Sequence, residues 1–397
     1  MKGRSFFLRF GAVLSLSFLT GCMLTPADGP FPGDVHVQAT DRAPDVGPLP
    51  YALVKIDPKA VDVLQEFEPK GLAGVFTDRR PPTPITFGIG DTVSVTIFEA
   101  AAGGLFIPIE AGVRPGNFVT LPDQSVDNDG NISVPYAGTI PAAGRTNVQI
   151  QNDIIARIRN RAIEPQVVVS LSHQNTSLIS VFGEVNSSVR YPAATTGAQD
   201  RITDAITRAG GIKGQGFETW VLLERKGRRA TVPFANLIYE PQNNIFVQPG
   251  DRIYVYREQQ KFFAFGASGT QGEFNFDAWR INLANAVAKS GGLVDAQADA
   301  GSVFLYRREP RDVAVALGVD VSKFQTELIP VIFSTSFHDP SGYFLAGKVQ
   351  MRNGDVIFVA NAASVEVTKF ANLLNTVMGT ASNGIALREQ IKTTLGR

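Results

Sequence analysis

The chain has 397 residues, 44% of them hydrophobic and 19% charged, a balance that sustains packed cores and argues against general disorder. Its 37 lysines and arginines equal its 37 acids, so there is no basic excess to neutralise phosphates, and nucleic acid is excluded as a partner. A single cysteine rules out an intrachain disulfide.

At the start of the chain Lys2, Arg4 and Arg9 precede an uncharged run from Phe10 to Leu19, and Leu19-Thr20-Gly21-Cys22 sets the lone cysteine behind small residues. A basic start, an apolar run and a small-residue cut describe an export signal that is removed. The pattern resembles that of bacterial lipoproteins. The resemblance implies a signal peptide at 1–21, acylation of Cys22 as the new N-terminus, and, because Met23 is not the Asp that retains such proteins at the inner membrane, an outer-membrane anchor with most of the chain in the periplasm. Cleavage leaves about 376 residues, enough for two or three domains.

From Met23 to about Pro50 prolines are dense and large apolar residues few, so the stretch is expected to be a tether. Asp57-Pro58 predicts a helix start, an N-cap followed by proline at the first helical position, with Val61, Leu64 and Phe67 as its apolar face. Pro81-Pro82-Thr83-Pro84 breaks the chain again, which sets off 22–82 as tether and short helix.

In 83–173, Gly90-Asp91 leads into the alternating strand Thr92-Val93-Ser94-Val95. Asp127-Asn128-Asp129-Gly130-Asn131 predicts a tight hairpin turn before Ile132-Ser133-Val134-Pro135. Thr146 with Gln149 forms a capping box for a helix whose Ile150, Ile154, Ile155 and Ile158 share one side. Pro165 closes it, and Val167, Val169 and Leu171 alternate as a half-buried strand.

The Gly-Asp phrase recurs at Gly250-Asp251-Arg252-Ile253-Tyr254-Val255 and Gly354-Asp355-Val356-Ile357-Phe358-Val359. These last two copies share more context: Val181-Phe182-Gly183 corresponds to Ala264-Phe265-Gly266, Ala205-Ile206 with Gly210-Gly211 to Ala286-Val287 with Gly291-Gly292, and Val221 to Arg225 to Val303 to Arg307. The offsets are 81 to 83 residues, then 104 at Gly-Asp, so the second copy carries an insertion of about twenty residues, expected between Arg311 and Phe344. Helical spacing of Ile202, Ala205, Ile206 and Ala209, and of Leu283, Ala286 and Val287, ends each time at Gly-Gly. Each copy is strands, one short helix and more strands, the plan of a β-grasp unit. The predicted fold class is α+β, with domains at 83–173, 174–258 and 259–361, and a C-terminal segment at 362–397.

Gly88 to Val95, Asp129 to Gly138 and Glu164-Pro165-Gln166-Val167-Val168-Val169 resemble the polysaccharide-export domain of the outer-membrane polysaccharide export family, the capsule translocons. The two repeats resemble its ligand-binding β-grasp (SLBB) domains. Ile329-Pro330-Val331-Ile332, His338-Asp339-Pro340, Phe344-Leu345-Ala346 and Met351 to Asp355 are similar to that family's last repeat. The resemblance implies a homo-oligomeric ring, typically an octamer, around a cavity for the polysaccharide, with C-terminal helices forming a pore through the outer membrane. It also implies an inner-membrane co-polymerase, often paired with a tyrosine autokinase, as partner.

The tail permits such a helix. Phe370 to Leu387 is eighteen uncharged residues, about 27 Å as a helix against roughly 30 Å of hydrocarbon. Asn372, Asn375, Thr376, Gly379, Ser382 and Asn383 fall on one side as pore-lining candidates; Phe370, Leu373, Leu374, Val377, Ala381 and Ile385 fall on the other, toward lipid. Gly379 and Gly384 weaken the helix, and an amphipathic helix packed on the ring remains the alternative.

Catalytic signatures are sparse. His36, His173 and His338 stand apart from one another and from Cys22, so no metal site is expected. The Asp127–Asn131 turn places its glycine too early for an EF-hand, and Gly210 to Gly216 lacks the Gly-Lys-Ser/Thr ending of a phosphate loop. No cofactor and no enzyme activity are expected. The reading is a polysaccharide export channel; the alternatives are a periplasmic glycan-binding scaffold without a pore and, behind it, a glycan-processing enzyme.

Overall fold

Residues 29–40, 49–78, 80–81, 86–101, 103–107, 117–193, 199–365, 367–369 and 371–372 are described by the computed structural model of the protein. The chain divides into two units, one made of Pro69–Glu258 and one of Met1–Glu68 together with Gln259–Arg397. Its class is α+β.

The flanking unit opens with α1 (Pro32–Thr40), β1 (Ala52–Lys55) and α2 (Pro58–Glu66). Asp57 caps α2, its carboxylate accepting from the Ala60 amide at 2.7 Å, and Pro58 sits in the first turn, where no N–H is required. The expected tether is thus partly built into the fold: Val35 of α1 is only 2% exposed, and β1 pairs within a sheet. Few apolar residues suffice there because distant strands supply the rest of the packing.

Pro69–Glu258 begins with α3 (Gly71–Val75), β2 (Thr92–Phe98), β3 (Phe118–Thr120), β4 (Gln124–Ser125), β5 (Asn131–Val134), β6 (Gly138–Pro141), α4 (Asn147–Ile158) and β7 (Gln166–His173). β2 is central, antiparallel to β3, β4 and β7. Its Val93, Val95 and Ile97 share a core with Ile150, Ile154 and Ile158 of α4, whose N-terminus carries the Thr146/Gln149 capping box. The Asp127–Asn131 turn differs from the hairpin expected of it. β4 pairs with β2, whereas β5 pairs with β6, so the turn, closed by Asp127 Oδ1 accepting from the Asn131 amide at 2.7 Å, passes the chain from one sheet to another.

The same unit continues through β8 (Leu178–Gly183), β9 (Val189–Pro192), α5 (Ile202–Arg208), β10 (Thr219–Arg225), β11 (Arg228–Pro233), α6 (Phe234–Tyr239) and β12 (Arg252–Arg257). The sheet order is β11-β10-β12-β8-β9. Ile202, Ala205 and Ile206 of α5 cover one face, against Val181, Val221, Leu223, Ile253 and Val255.

The flanking unit resumes with β13 (Lys261–Gly266), β14 (Gly272–Asn275), α7 (Leu283–Lys289), β15 (Ala298–Pro310), α8 (Arg311–Ala316), β16 (Leu328–Thr335), α9 (Pro340–Ala346) and β17 (Val356–Asn361). Its order, β1-β16-β15-β17-β13-β14, repeats that of the first sheet, with β1 added parallel to β16. β10 turns into β11 through Lys226 and Gly227, whereas β15 reaches β16 only by way of α8 and the residues to Glu327. Residues 311–327 are therefore the extra segment. The core beneath joins Phe262, Leu305, Phe333 and Ile357 to Leu283 of α7 and to Val61 and Leu64 of α2.

Candidate functional site

Each Gly-Asp phrase ends in a buried carboxylate: Asp91, Asp251 and Asp355 are at most 2% exposed. All three accept from the amide three residues earlier, that of Gly88 at 2.8 Å, Gln248 at 2.7 Å and Arg352 at 2.7 Å. The turn is common to the three; what neutralises the charge is not. Asp91 is met by the amides of Asn175 and Thr176 at 2.7 and 3.0 Å and by the Thr176 hydroxyl at 2.9 Å. Asp251 takes a two-pronged contact from Arg225, at 2.9 and 2.7 Å, and Asp355 one from Arg307. Burial alone would pull the Arg307 guanidinium down, but the charges of Asp355 and Glu309 outweigh it and hold the group above its ordinary value. Glu309, fully buried, also accepts from Arg352 at 2.7 Å. In 83–173, Glu99 accepts from the amides of Leu105, Phe106, Ile107 and Ile163 at 2.8 to 3.2 Å, fixing a loop that lacks regular structure.

These buried pairs set the frame; the surfaces they hold differ between the repeats. In the second repeat, the sheet face away from α7 carries Phe304, Ile332 and Phe358, closed by Val35 of α1, with His36 edge-on to Phe304. Between α1, the 49–51 segment and this sheet lies a cavity of about 780 Å³, lined among others by Tyr51, Tyr306, Ile332, Arg308 and Arg352. That volume suits a small ligand. Tyr51 donates to the Val35 carbonyl at 2.9 Å. Burial, with Tyr51 nearby, pushes the Tyr306 phenol up to about 12, so at neutral pH it stays protonated and offers a hydrogen bond rather than a base.

In the first repeat no element among the described residues closes the equivalent face. Strand register aligns Arg229, Glu224, Arg252, Ser180 and Arg190 in one row across β11, β10, β12, β8 and β9. Glu224 pairs with Arg229 at 2.8 Å and with Arg252 at 3.7 Å. Next to this row Tyr254 lies 5.4 Å from Phe182 and is stacked 5.6 Å from Tyr256. Tyr254 and Phe182 are 40% and 39% exposed.

Of the residues singled out from the sequence, Cys22, Phe370, Leu373, Leu374, Asn375, Thr376, Val377, Ser382, Asn383 and Ile385 lie outside the described residues. Asn372 is helical and exposed, at the end of helical stretches over 363–365, 367–369 and 371–372. No helix among the described residues is long and apolar enough to cross a membrane. His338 is exposed, 3.8 Å from Asp299, and His173 ends β7; among the described residues no cluster of three potential metal ligands forms. The buried carboxylate–arginine pairs and the basic row were not anticipated. Asp and Arg recur in both copies, but their pairing runs between strands and is set by register.

The family described as polysaccharide biosynthesis/export protein matches residues 79–172. The chain is 29% identical to the capsule polysaccharide export protein BexD of Haemophilus influenzae, over 91% of this chain and 93% of that one. It is 28% identical to the capsule polysaccharide export outer membrane protein CtrA of Neisseria meningitidis, over 96% and 97%. To the Vi polysaccharide export protein VexA/TviF of Salmonella typhi it is 26% identical, over 70% and 75%. The family match falls on the region whose phrases carry the polysaccharide-export resemblance, and similarity to proteins named for polysaccharide export runs along nearly the whole chain.

Proposed function

We propose that this protein is an outer-membrane polysaccharide export protein, without enzymatic chemistry of its own, that moves a capsular or extracellular polysaccharide from the periplasm to the cell surface. One observation carries the reading: relatives named for polysaccharide export align with almost the full length of this chain, 96% of it in the Neisseria meningitidis case. The finer picture is a ring of identical subunits, an octamer as the resemblance implies, anchored by acylated Cys22. The tails from Phe370 to Leu387 form the passage, with Asn372, Asn375, Thr376, Ser382 and Asn383 toward water and Phe370, Leu373, Leu374, Val377 and Ile385 toward lipid. Neutral polar groups suit that lining because they hydrate a glycan without trapping its charges. Force comes from polymer synthesis and an inner-membrane co-polymerase with its tyrosine autokinase.

Deletion of 370–397 tests it. Surface polysaccharide is expected to disappear while the truncated chain remains acylated and assembled in the outer membrane. Surface polysaccharide at the level of the intact protein overturns the passage.

A further inference from the structure

We infer that the open sheet face of the first repeat is a contact surface for an acidic polysaccharide strand, which deepens the export reading and rests on it for the polymer. The row Arg229, Glu224, Arg252, Ser180, Arg190 sets three guanidiniums against one carboxylate. Glu224 is shared by two of them, and Arg190, exposed on the edge strand β9, has no polar partner among the described residues. At about 4.8 Å between strands the row runs about 19 Å, long enough to meet several sugar rings in succession. Guanidinium forks match carboxylate geometry, and the exposed rings of Tyr254 and Phe182 beside the row offer flat apolar surface to the C–H faces of pyranoses.

The second repeat provides the contrast. Its equivalent row, by the same register, is Ile332, Tyr306, Val356, Phe263, Glu273, and α1 closes the neighbouring Phe304 and Phe358. A protein element can cover that face because it is apolar. A comparable element laid over the first repeat's row would strip water from three cations with only one anion between them, leaving buried charge without a counter-charge. An acidic glycan brings carboxylates to the cations and hydroxyls to the rest. Being exposed, the contact is screened by salt, which suits a strand that must slide past.

The test uses the full-length acylated protein in detergent and two probes, oligogalacturonate and its fully methyl-esterified form, with binding measured by calorimetry. The acid is expected to bind at least about tenfold tighter than the neutral ester, and more weakly as salt rises. Arg190→Gln with Arg252→Gln is expected to remove that preference, and Tyr254→Leu to weaken both probes, with melting temperature and subunit number unchanged. Equal binding of acid and ester, or substitutions without effect, overturns the inference. So does a change in subunit number with glycan binding intact, which would mark the face as a contact between copies of the chain. Because the assay reads binding alone, its failure leaves the export reading to stand or fall on the tail deletion.

Discussion

Arg225 and Asp251 form a pair in which both side chains are at most 8% exposed, and removing one partner strands the other. Arg225→Met is expected to lower unfolding stability by about 3–5 kcal/mol, whereas Arg225→Met with Asp251→Leu restores most of it. Urea titration followed by Trp220 fluorescence reads both. A double variant as unstable as the single one would show that the guanidinium's contact with the Phe246 carbonyl at 2.7 Å, not the ion pair, holds the site. The sequence displayed Asp251, Asp355, Arg225 and Arg307 as recurring letters. It could not show that Asp and Arg meet, because twenty-five intervening residues separate Arg225 from Asp251 and only the β10–β12 register brings them together.

At the scale of elements, the repeated glycine that ends β8 and β13 is a backbone requirement. Gly183 and Gly266 have φ of +100° and +79°, and a Cβ at either would strike the carbonyl of Val255 or Val359 in the neighbouring parallel strand. Gly183→Ala and Gly266→Ala are each expected to cost more than about 1 kcal/mol, read as a lower denaturation midpoint, and each should loosen its own repeat. Equal melting of variant and intact protein would mean the strand ends shift freely. Long periodic elements were legible: the three-turn pattern of α4 and its Thr146 cap appear as the spacing demands. Short ones were not. β1 has four residues and no strong alternation, and it is a strand because β16 offers it an edge. The Asp127 turn was legible as a turn, but which strands it joins depends on pairings made elsewhere in the chain.

For the whole molecule, the division into Pro69–Glu258 and its two flanks makes an asymmetric forecast. A fragment of residues 69–258 is expected to unfold as one cooperative transition, since its cores close within it. A fragment of 259–397 is expected not to fold, for it lacks Ile56, Val61 and Leu64, all buried in the flanking unit's core. At about 1.5–3 kcal/mol for each side chain, that loss rivals the whole stability of a typical domain. Circular dichroism melting of the two fragments decides it, and a cooperative melt of 259–397 alone would contradict the forecast. The class of fold and the repeat were visible in the sequence because both are periodic; the basic row was not, because it exists only across strands.

The pairing of β1 with β16 also dictates a schedule. Ala52 is made early and must wait for Val331, so the continuous middle segment can finish folding while the leading strand is still without its neighbour. Until then the unpaired edge is the chain's vulnerable interval, open to mispairing with a sister molecule, and it ends only once the segment around Val331 has been made.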